Sequence, residues 1–184
     1  MAADSFGPSA LATPANAVTI ARLLIAPVLF AMIGEGGPSW PVFLFWMVLA
    51  LTDGLDGWIA RRQGTTRSGA FLDPLADKVL VLGAMWALVA QSVFWWLPVA
   101  LIALREIGIS LYRSWEGRRG ISVPARQWAK VKTVVQDVAV ALALFPPTAD
   151  QEDIASTMLW AAVVLTLVTG AQYLLDGSRV RRAV

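Results

Sequence analysis

The chain has 184 residues, 57% of them hydrophobic, and a mean hydropathy of +0.62. Only 15% of the residues are charged, which is too few to cover the surface of a soluble helical bundle of this size. Because the chain contains no cysteine and no histidine, disulfides, thiolate nucleophiles, imidazole bases and the usual zinc sites are excluded. Any chemistry must therefore use carboxylates, hydroxyls, lysine or arginine, with hard divalent cations as natural helpers.

Apolar residues are concentrated in six segments, each close to the roughly 20 residues that a helix needs to cross a bilayer. Loop signals rich in glycine, proline or charge separate most of them, at 34–38, 61–67 and 146–150. The sequence therefore predicts an all-α fold, an integral membrane bundle of six transmembrane helices. The predicted spans are 17–34, 39–60, 70–91, 93–112, 128–146 and 154–175.

The loops differ in charge between the two sides of the predicted bundle. Lysine and arginine follow the second and fourth spans, precede the fifth and occupy the tail, whereas the opposite loops contain acidic residues and no lysine or arginine. The positive-inside rule places the basic side and both termini in the cytoplasm. We therefore expect one membrane domain, 1–184, with a short cytoplasmic N-terminal segment, 1–15, and a basic cytoplasmic tail, 177–184.

Most of the tryptophans lie toward the ends of the predicted spans. Amphipathic aromatic rings are enriched at membrane interfaces, so the sequence predicts that these side chains anchor the helices there. The tryptophans concerned are Trp40, Trp46, Trp95, Trp96 and Trp160 toward the outer face, and Trp115 and Trp128 near the inner face.

Four aspartates lie near the cytoplasmic ends of the second and third spans, where an ionised side chain is costly. Asp53 and Asp56 are three residues apart, which places them on one face of a helix. Asp73 and Asp77 are four residues apart, with the same consequence. Since the two helices are predicted to be antiparallel, all four carboxylates reach a similar depth. Divalent cations would relieve their repulsion, and oxygen ligands alone favour Mg²⁺ or Mn²⁺, as two ions bridging a pyrophosphate.

Small residues occupy positions between these aspartates, at Gly54, Gly57, Ala60 and Gly69. Membrane helices often pack through small residues, which is the purely structural interpretation. A glycine inside a helix costs about 1 kcal/mol relative to alanine, however. Four small residues among four aspartates therefore favour the interpretation that this region leaves space for a ligand.

The stretch from Asp53 to Asp77 resembles the signature of the CDP-alcohol phosphatidyltransferase family. That pattern is D-x2-D-G-x2-A-R-x7or8-G-x3-D-x3-D, and the chain matches every fixed position. The resemblance implies transfer of a phosphatidyl group from CDP-diacylglycerol to an alcohol, with release of CMP. It further implies that Asp77 is the base for the acceptor hydroxyl. The metal ligands that it implies are Asp53, Asp56, Asp73 and Asp77, and the CDP-binding residues are Asp53, Asp56, Gly57, Ala60, Arg61 and Gly69.

Runs outside the signature resemble the phosphatidylglycerophosphate synthase branch of that family, which uses sn-glycerol 3-phosphate as acceptor. These runs are Asn16-x2-Thr19-x2-Arg22, Phe71 to Lys78, Leu104 to Ile107 and Lys130 to Thr133. Basic side chains suit an acceptor phosphate, although they can also face anionic lipid headgroups. The candidates for the acceptor phosphate are Arg105, Arg113, Lys130 and Lys132, and those for support on the nucleotide side are Asn16, Thr19 and Arg22.

Two alternatives stay open at this stage. Phosphatidylglycerol as acceptor would make the protein a cardiolipin synthase of the same family. The aspartates could instead mark an ion pathway in a small transporter. Three features argue against transport: the aspartates are confined to the cytoplasmic side, no acidic residue continues across the midplane in those helices, and paired interrupted helices are absent.

The resemblance also carries expectations about location and partners. It implies a multi-pass protein of a bacterial plasma membrane, with the active site facing the cytoplasm. Its partners would be CDP-diacylglycerol, glycerol 3-phosphate, membrane lipids and a second copy in a homodimer, with no nucleic acid.

Overall fold

The computed structural model of the chain is built from α-helices. It describes the backbone of residues 14–63, 69–118 and 128–183, and the side chains of 16–52, 74–117, 131–151 and 153–177. Every regular element in these residues is helical. The helices are α1 Pro14–Gly36, α2 Trp40–Gln63, α3 Gly69–Ala90, α4 Trp96–Arg118, α5 Trp128–Leu144, α6 Pro146–Ala149 and α7 Glu152–Ala183.

Each of the six predicted spans overlaps a long helix of the described residues, so the prediction of an all-α fold is confirmed. The prediction of a plain loop at 146–150 was wrong, because α6 forms one helical turn there. Phe145 is extended, the two prolines that follow preset helical φ angles, and the Thr148 hydroxyl donates to the Leu142 carbonyl at 2.6 Å. In addition, α7 continues through most of the predicted tail, to Ala183.

Turn chemistry ends the first helix. The amide of Gly37 donates to the carbonyl of Ile33 at 3.0 Å, and Gly37 has a φ of +61°, in the left-handed region that favours glycine. The chain then reverses within three residues and enters α2 at Trp40.

Successive long helices run antiparallel, as contacts at both ends of the bundle establish. At one end, the Trp40 and Phe145 rings are 5.3 Å apart, and the Gln91 side chain donates to the carbonyl of Gly34. At the other end, the Tyr112 and Tyr173 rings are 6.1 Å apart. We call the latter the inner end. It contains the start of α1, α3 and α5 and the last part of α2, α4 and α7.

The packing order places α3 and α5 in the middle of the bundle. Helix α1 packs against α2 and α3, helix α3 also contacts α4 and α5, and α7 packs against α4 and α5. Between α1 and α3, Phe30 lies directly over Gly83, where any side chain would overlap its ring. This close approach brings α1 near the helix that carries Asp73 and Asp77.

The core toward the outer end is apolar. Its largest buried side chains include Leu29, Ile33, Met85 and Leu88, all under 2% exposed. Trp46 also belongs to this core at 1% exposure, so the prediction that it anchors at an interface was wrong. Val42, Trp46 and Leu49 follow helical spacing and share one face, and that face is buried. The periodicity of α2, and not its tryptophan content, decides where this ring lies.

The exterior of the bundle is apolar as well. Leu24 and Leu104 are 74% and 73% exposed, and large hydrophobic side chains are exposed on all six long helices. A soluble protein rarely leaves so much apolar surface in water. Among the described residues, Asn16–Gly36 and Asp153–Gly177 are long and apolar enough to cross a membrane, and Trp40–Thr52 is a shorter apolar helix. The fold is that of a helical membrane protein.

We expect Gly83→Ala to lower the free energy of unfolding by about 1–3 kcal/mol, because the added methyl group would force α1 and α3 apart at Phe30. Denaturant unfolding of the protein in detergent micelles measures this change. Gly34→Ala is the matched control, since a methyl group there meets no atom within 4 Å. Equal stability of both variants would contradict the close contact between α1 and α3.

Candidate functional site

Polar side chains are buried only from the middle of the described bundle to its inner end. In an apolar bundle each buried polar group needs a partner, so their concentration at one end marks a specialised region. These buried residues are Asn16, Thr19 and Arg22 on α1, Glu106 and Glu116 on α4, Lys132 and Gln136 on α5, and Thr166 and Thr169 on α7.

Three charged side chains form one cluster between α4 and α5. Oε1 of Glu106 accepts a hydrogen bond from Nη1 of Arg105 at 2.9 Å and a second from Nζ of Lys132. The Glu106 and Lys132 side chains are 7% exposed, and that of Arg105 is 11% exposed. We call these three residues the Glu106 cluster. A single carboxylate oxygen therefore holds an arginine and a lysine side by side.

The charges of the Glu106 cluster sum to +1. Removing two cations and one anion from water is costly, and their mutual attraction offsets that cost only with good geometry. Ionisable groups kept in membrane helices usually mark a binding or transport site. A net positive, largely buried cluster suits an anionic ligand.

Arg105 also reaches across to α7. Its Nη2 donates to the hydroxyl of Thr169 at 3.1 Å, and that hydroxyl donates to the carbonyl of Leu165 at 2.7 Å. A second polar link, from Nε2 of Gln136 to the hydroxyl of Thr166 at 3.0 Å, joins α5 to α7. Helices α4, α5 and α7 are thus tied together by side-chain hydrogen bonds around the cluster.

Asp77, the predicted base, lies within electrostatic range of this cluster. Its half-buried side chain is on α3, which packs against α5, and its charge acts on the ammonium of Lys132. Asp77 also has a polar or electrostatic contact of its own. The fold therefore brings the predicted base into the electrostatic field of Lys132, which stands 55 positions later in the chain.

The other predicted metal ligands are placed by their helices alone. Asp53 and Asp56 fall within α2, and Asp73 falls within α3, so the spacing that puts each pair on one face holds. Their side chains lie outside the described set. Among the described side chains, no group of three acidic residues forms a possible metal site. The donor types, carboxylate oxygens throughout, fit a hard divalent cation.

The predicted CDP-binding residues and Lys130 also lie outside the described side chains. Their backbones are helical: Gly57, Ala60 and Arg61 belong to α2, Gly69 begins α3, and Lys130 is in the first turn of α5. The loop 64–68 between α2 and α3 lies outside the described residues altogether.

The three polar residues of α1 lie on its buried face. Asn16, Thr19 and Arg22 are 1%, 0% and 2% exposed, and their spacing of three aligns them along one side of the helix. Each has a polar or electrostatic contact. Because α1 packs against α2 and α3, this face borders the two helices that carry the predicted metal ligands.

Arg113 differs from the other predicted acceptor-site residues. It is exposed on α4, two helical turns beyond Arg105, and lies near Tyr173 of α7. Of the four residues predicted to bind an acceptor phosphate, the described structure joins only Arg105 and Lys132 through Glu106. Arg113 belongs to the rim of the inner end.

Sequence reasoning missed the residues that connect the cluster. Glu106 lies within the run Leu104 to Ile107, but no sequence pattern assigns it a role, and its shared contact with Lys132 needs the fold. Thr166 and Thr169 could have been found from the sequence. They lie three residues apart in an apolar helix, and polar residues that repeat at helical spacing predict a polar partner on the facing helix.

We expect Glu106→Gln to lower the free energy of unfolding, since it leaves two buried cations without their shared carboxylate. Lys132→Met should cost less, because Arg105 still pairs with Glu106. The double variant should lose less than the sum of the two, with a coupling energy of about 1–3 kcal/mol. Denaturant unfolding in micelles gives all four corners of the cycle, and Glu35→Gln at the exposed outer end is the control. Additive losses would contradict the shared ion pair.

Comparison with known proteins places this arrangement in a family. The model of the CDP-alcohol phosphatidyltransferase family matches residues 12–168. The "Probable phosphatidylglycerophosphate synthase" of Mycobacterium tuberculosis (strain H37Rv) is 37% identical over 174 residues, which cover 91% of this chain and 82% of that protein. The "CDP-diacylglycerol--glycerol-3-phosphate 3-phosphatidyltransferase" of Escherichia coli (strain K12) is 40% identical over 165 residues, covering 85% and 90%. The chain belongs to the CDP-alcohol phosphatidyltransferase family.

Proposed function

We propose that the protein transfers a phosphatidyl group from CDP-diacylglycerol to sn-glycerol 3-phosphate, giving phosphatidylglycerophosphate and CMP. The observation that carries this proposal is the Glu106 cluster, in which Arg105 and Lys132 form a cation pair that suits an acceptor phosphate. The carboxylate of Asp77, which would activate the acceptor hydroxyl, acts on Lys132 from α3. The names of the relatives at 37% and 40% identity describe the same reaction.

The acceptor phosphate would bind between Arg105 and Lys132. Arginine offers a planar set of donors and lysine a compact charge, and both form strong bonds to phosphate oxygens. Arg105 and Lys132 lie side by side on one carboxylate oxygen, and a phosphate could accept hydrogen bonds from both. An uncharged alcohol offers no oxyanion to this cation pair, so the cluster favours a phosphorylated acceptor.

Asp77 would take the proton of the acceptor hydroxyl. The hydroxyl oxygen then forms a bond to the phosphorus that carries diacylglycerol, and the bond from that phosphorus to the CMP oxygen breaks. A half-buried carboxylate within electrostatic range of Lys132 would be suited to receive this proton. The acceptor phosphate and the base would thus hold the two ends of a short molecule, which fixes its orientation.

The carboxylates of Asp53, Asp56, Asp73 and Asp77 form a donor set that fits two Mg²⁺ or Mn²⁺ ions. Such ions, when bound, stabilise charge on the pyrophosphate and on the departing CMP. In this chain the aspartates would be held at the inner end by α2 and α3, each of which packs against α1.

The nucleotide would lie over the small residues at the inner ends of these two helices. Gly57, Ala60 and Gly69 leave room for it, and Arg61 supplies a cation, together with Asp53 and Asp56. Asn16, Thr19 and Arg22 would support this side from the buried face of α1, next to α2 and α3.

The same proposal fixes the arrangement in the membrane. The chain would be one domain, 1–184, with six transmembrane helices and both termini in the cytoplasm. The inner end would face the cytoplasm of a bacterial plasma membrane, in line with the positive loops. We further propose a homodimer.

We expect the purified protein to release CMP from CDP-diacylglycerol only when glycerol 3-phosphate and Mg²⁺ or Mn²⁺ are both present. Parallel reactions with phosphatidylglycerol, inositol phosphate and serine test the acceptor, and a chelator tests the metal. Cardiolipin formed from phosphatidylglycerol would overturn the acceptor assignment while keeping the metal chemistry. No CMP release with any acceptor, in folded protein, would contradict the proposed enzyme.

We expect Asp77→Asn to lower kcat by at least about 100-fold, since the amide cannot accept the hydroxyl proton. Asp56→Asn should abolish turnover as well, through loss of a metal ligand. Both variants should remain folded in micelles, and Asp153→Asn, an exposed acid at the outer end, is the control that should keep wild-type activity. Substantial turnover by either site variant would count against the assignment.

A further inference from the structure

The side chain of Arg105 is held by α7 as well as by its neighbour Glu106. Its Nη2 donates to the Thr169 hydroxyl at 3.1 Å. That hydroxyl directs its own hydrogen to the carbonyls of its helix, Leu165 at 2.7 Å and Thr166 at 3.1 Å. Thr169 therefore presents a fixed acceptor to the guanidinium. It supplies a second anchoring point, on a helix other than the one that carries Arg105.

Gly170, the next residue of α7, leaves room for the side chain of Arg105. A methyl group at Gly170 would lie 3.0 Å from Nε of Arg105 and 3.1 Å from its Cγ, closer than ordinary van der Waals contact. The stem of Arg105 thus lies against bare backbone at Gly170. Any larger residue would displace the stem and cover the Nε edge of the guanidinium.

That Nε–H is a buried donor with no partner among the described residues. A buried donor left unpaired costs free energy, and native structures rarely keep one without a use for it. The guanidinium has five N–H donors; Nη1 binds Glu106 and Nη2 binds Thr169. The Nε–H lies buried against Gly170, so α7 holds this side chain closely on one edge as well as through Thr169.

We propose that Thr169 and Gly170 are positioning residues that set the affinity for the phosphate of the acceptor, by holding the guanidinium of Arg105 in one orientation beside Lys132. This inference rests on the proposed function, and it assigns specificity to α7, outside the signature of the family. Glu106 supplies the charge that keeps Arg105 and Lys132 together. Thr169 and Gly170 fix the direction in which Arg105 points.

The test compares Thr169→Val, which removes the hydroxyl and keeps the shape, with Thr169→Ser, which keeps the hydroxyl. We expect Thr169→Val to raise KM for glycerol 3-phosphate about tenfold, equivalent to ~1.4 kcal/mol. The KM for CDP-diacylglycerol and kcat should stay within about twofold of wild type, and Thr169→Ser should restore the wild-type KM. Gly170→Ala should raise the same KM, whereas Gly108→Ala, on α4 with no atom within 4 Å of the added methyl group, should not.

A second variant separates an effect through Arg105 from a general loss of packing. In an Arg105→Lys background the Nε and Nη donors are gone, so Thr169→Val should raise KM no further. The stabilisation of the purified full chain against heat by glycerol 3-phosphate is an independent readout. It should be reduced in Thr169→Val and retained in Thr169→Ser.

The outcomes distinguish this inference from the function on which it rests. A wild-type protein that uses glycerol 3-phosphate, with a Thr169→Val variant of unchanged KM, would overturn the inference alone. So would a rise of equal size in KM for both substrates, or an undiminished effect of Thr169→Val in the Arg105→Lys background. A wild-type protein without glycerol 3-phosphate-dependent CMP release would overturn the proposed function and the inference together.

Discussion

The rest of the inner end depends on a single constraint, that charge buried in an apolar bundle must be compensated. Oε1 of Glu106 meets it by accepting from both Arg105 and Lys132. Because these residues come from α4 and α5, compensation also fixes how the two helices meet. Removing Glu106 would leave two buried cations without their shared counter-charge. The same electrostatics that would bind an anionic substrate therefore also stabilise the fold around its site.

The bundle separates this polar region from an apolar one along its length. Toward the outer end, Leu29, Ile33 and Trp46 pack without polar partners. Close approach of α1 and α3 at Gly83 places the buried polar face of α1 beside the helix that carries Asp77. Apolar packing at one end thus sets the positions of helices whose chemistry lies at the other. A mutation in the outer core can alter activity without touching the site.

The sequence alone was sufficient for the elements and insufficient for the contacts between them. Long apolar segments predicted every long helix, because span length and loop signals are local properties. The prediction for Trp46 was wrong because it followed the preference of tryptophan for interfaces. The helical spacing that Trp46 shares with Val42 places its ring in the core instead. The bond between Arg105 and Thr169 joins residues 64 positions apart, and no local pattern encodes which of several polar residues will face each other. The family signature predicted the four aspartates, whereas the support of Arg105 by α7 came from the fold.

The unbroken length of α7 has a mechanical consequence. Its 32 residues extend about 48 Å, whereas the hydrocarbon core of a bilayer is about 30 Å thick. The helix is therefore longer than a bilayer core is thick, and its part Asp153–Gly177 is long and apolar enough to cross one. Since Thr169 lies in the same continuous helix, a change in the tilt of α7 would move the hydroxyl that holds Arg105.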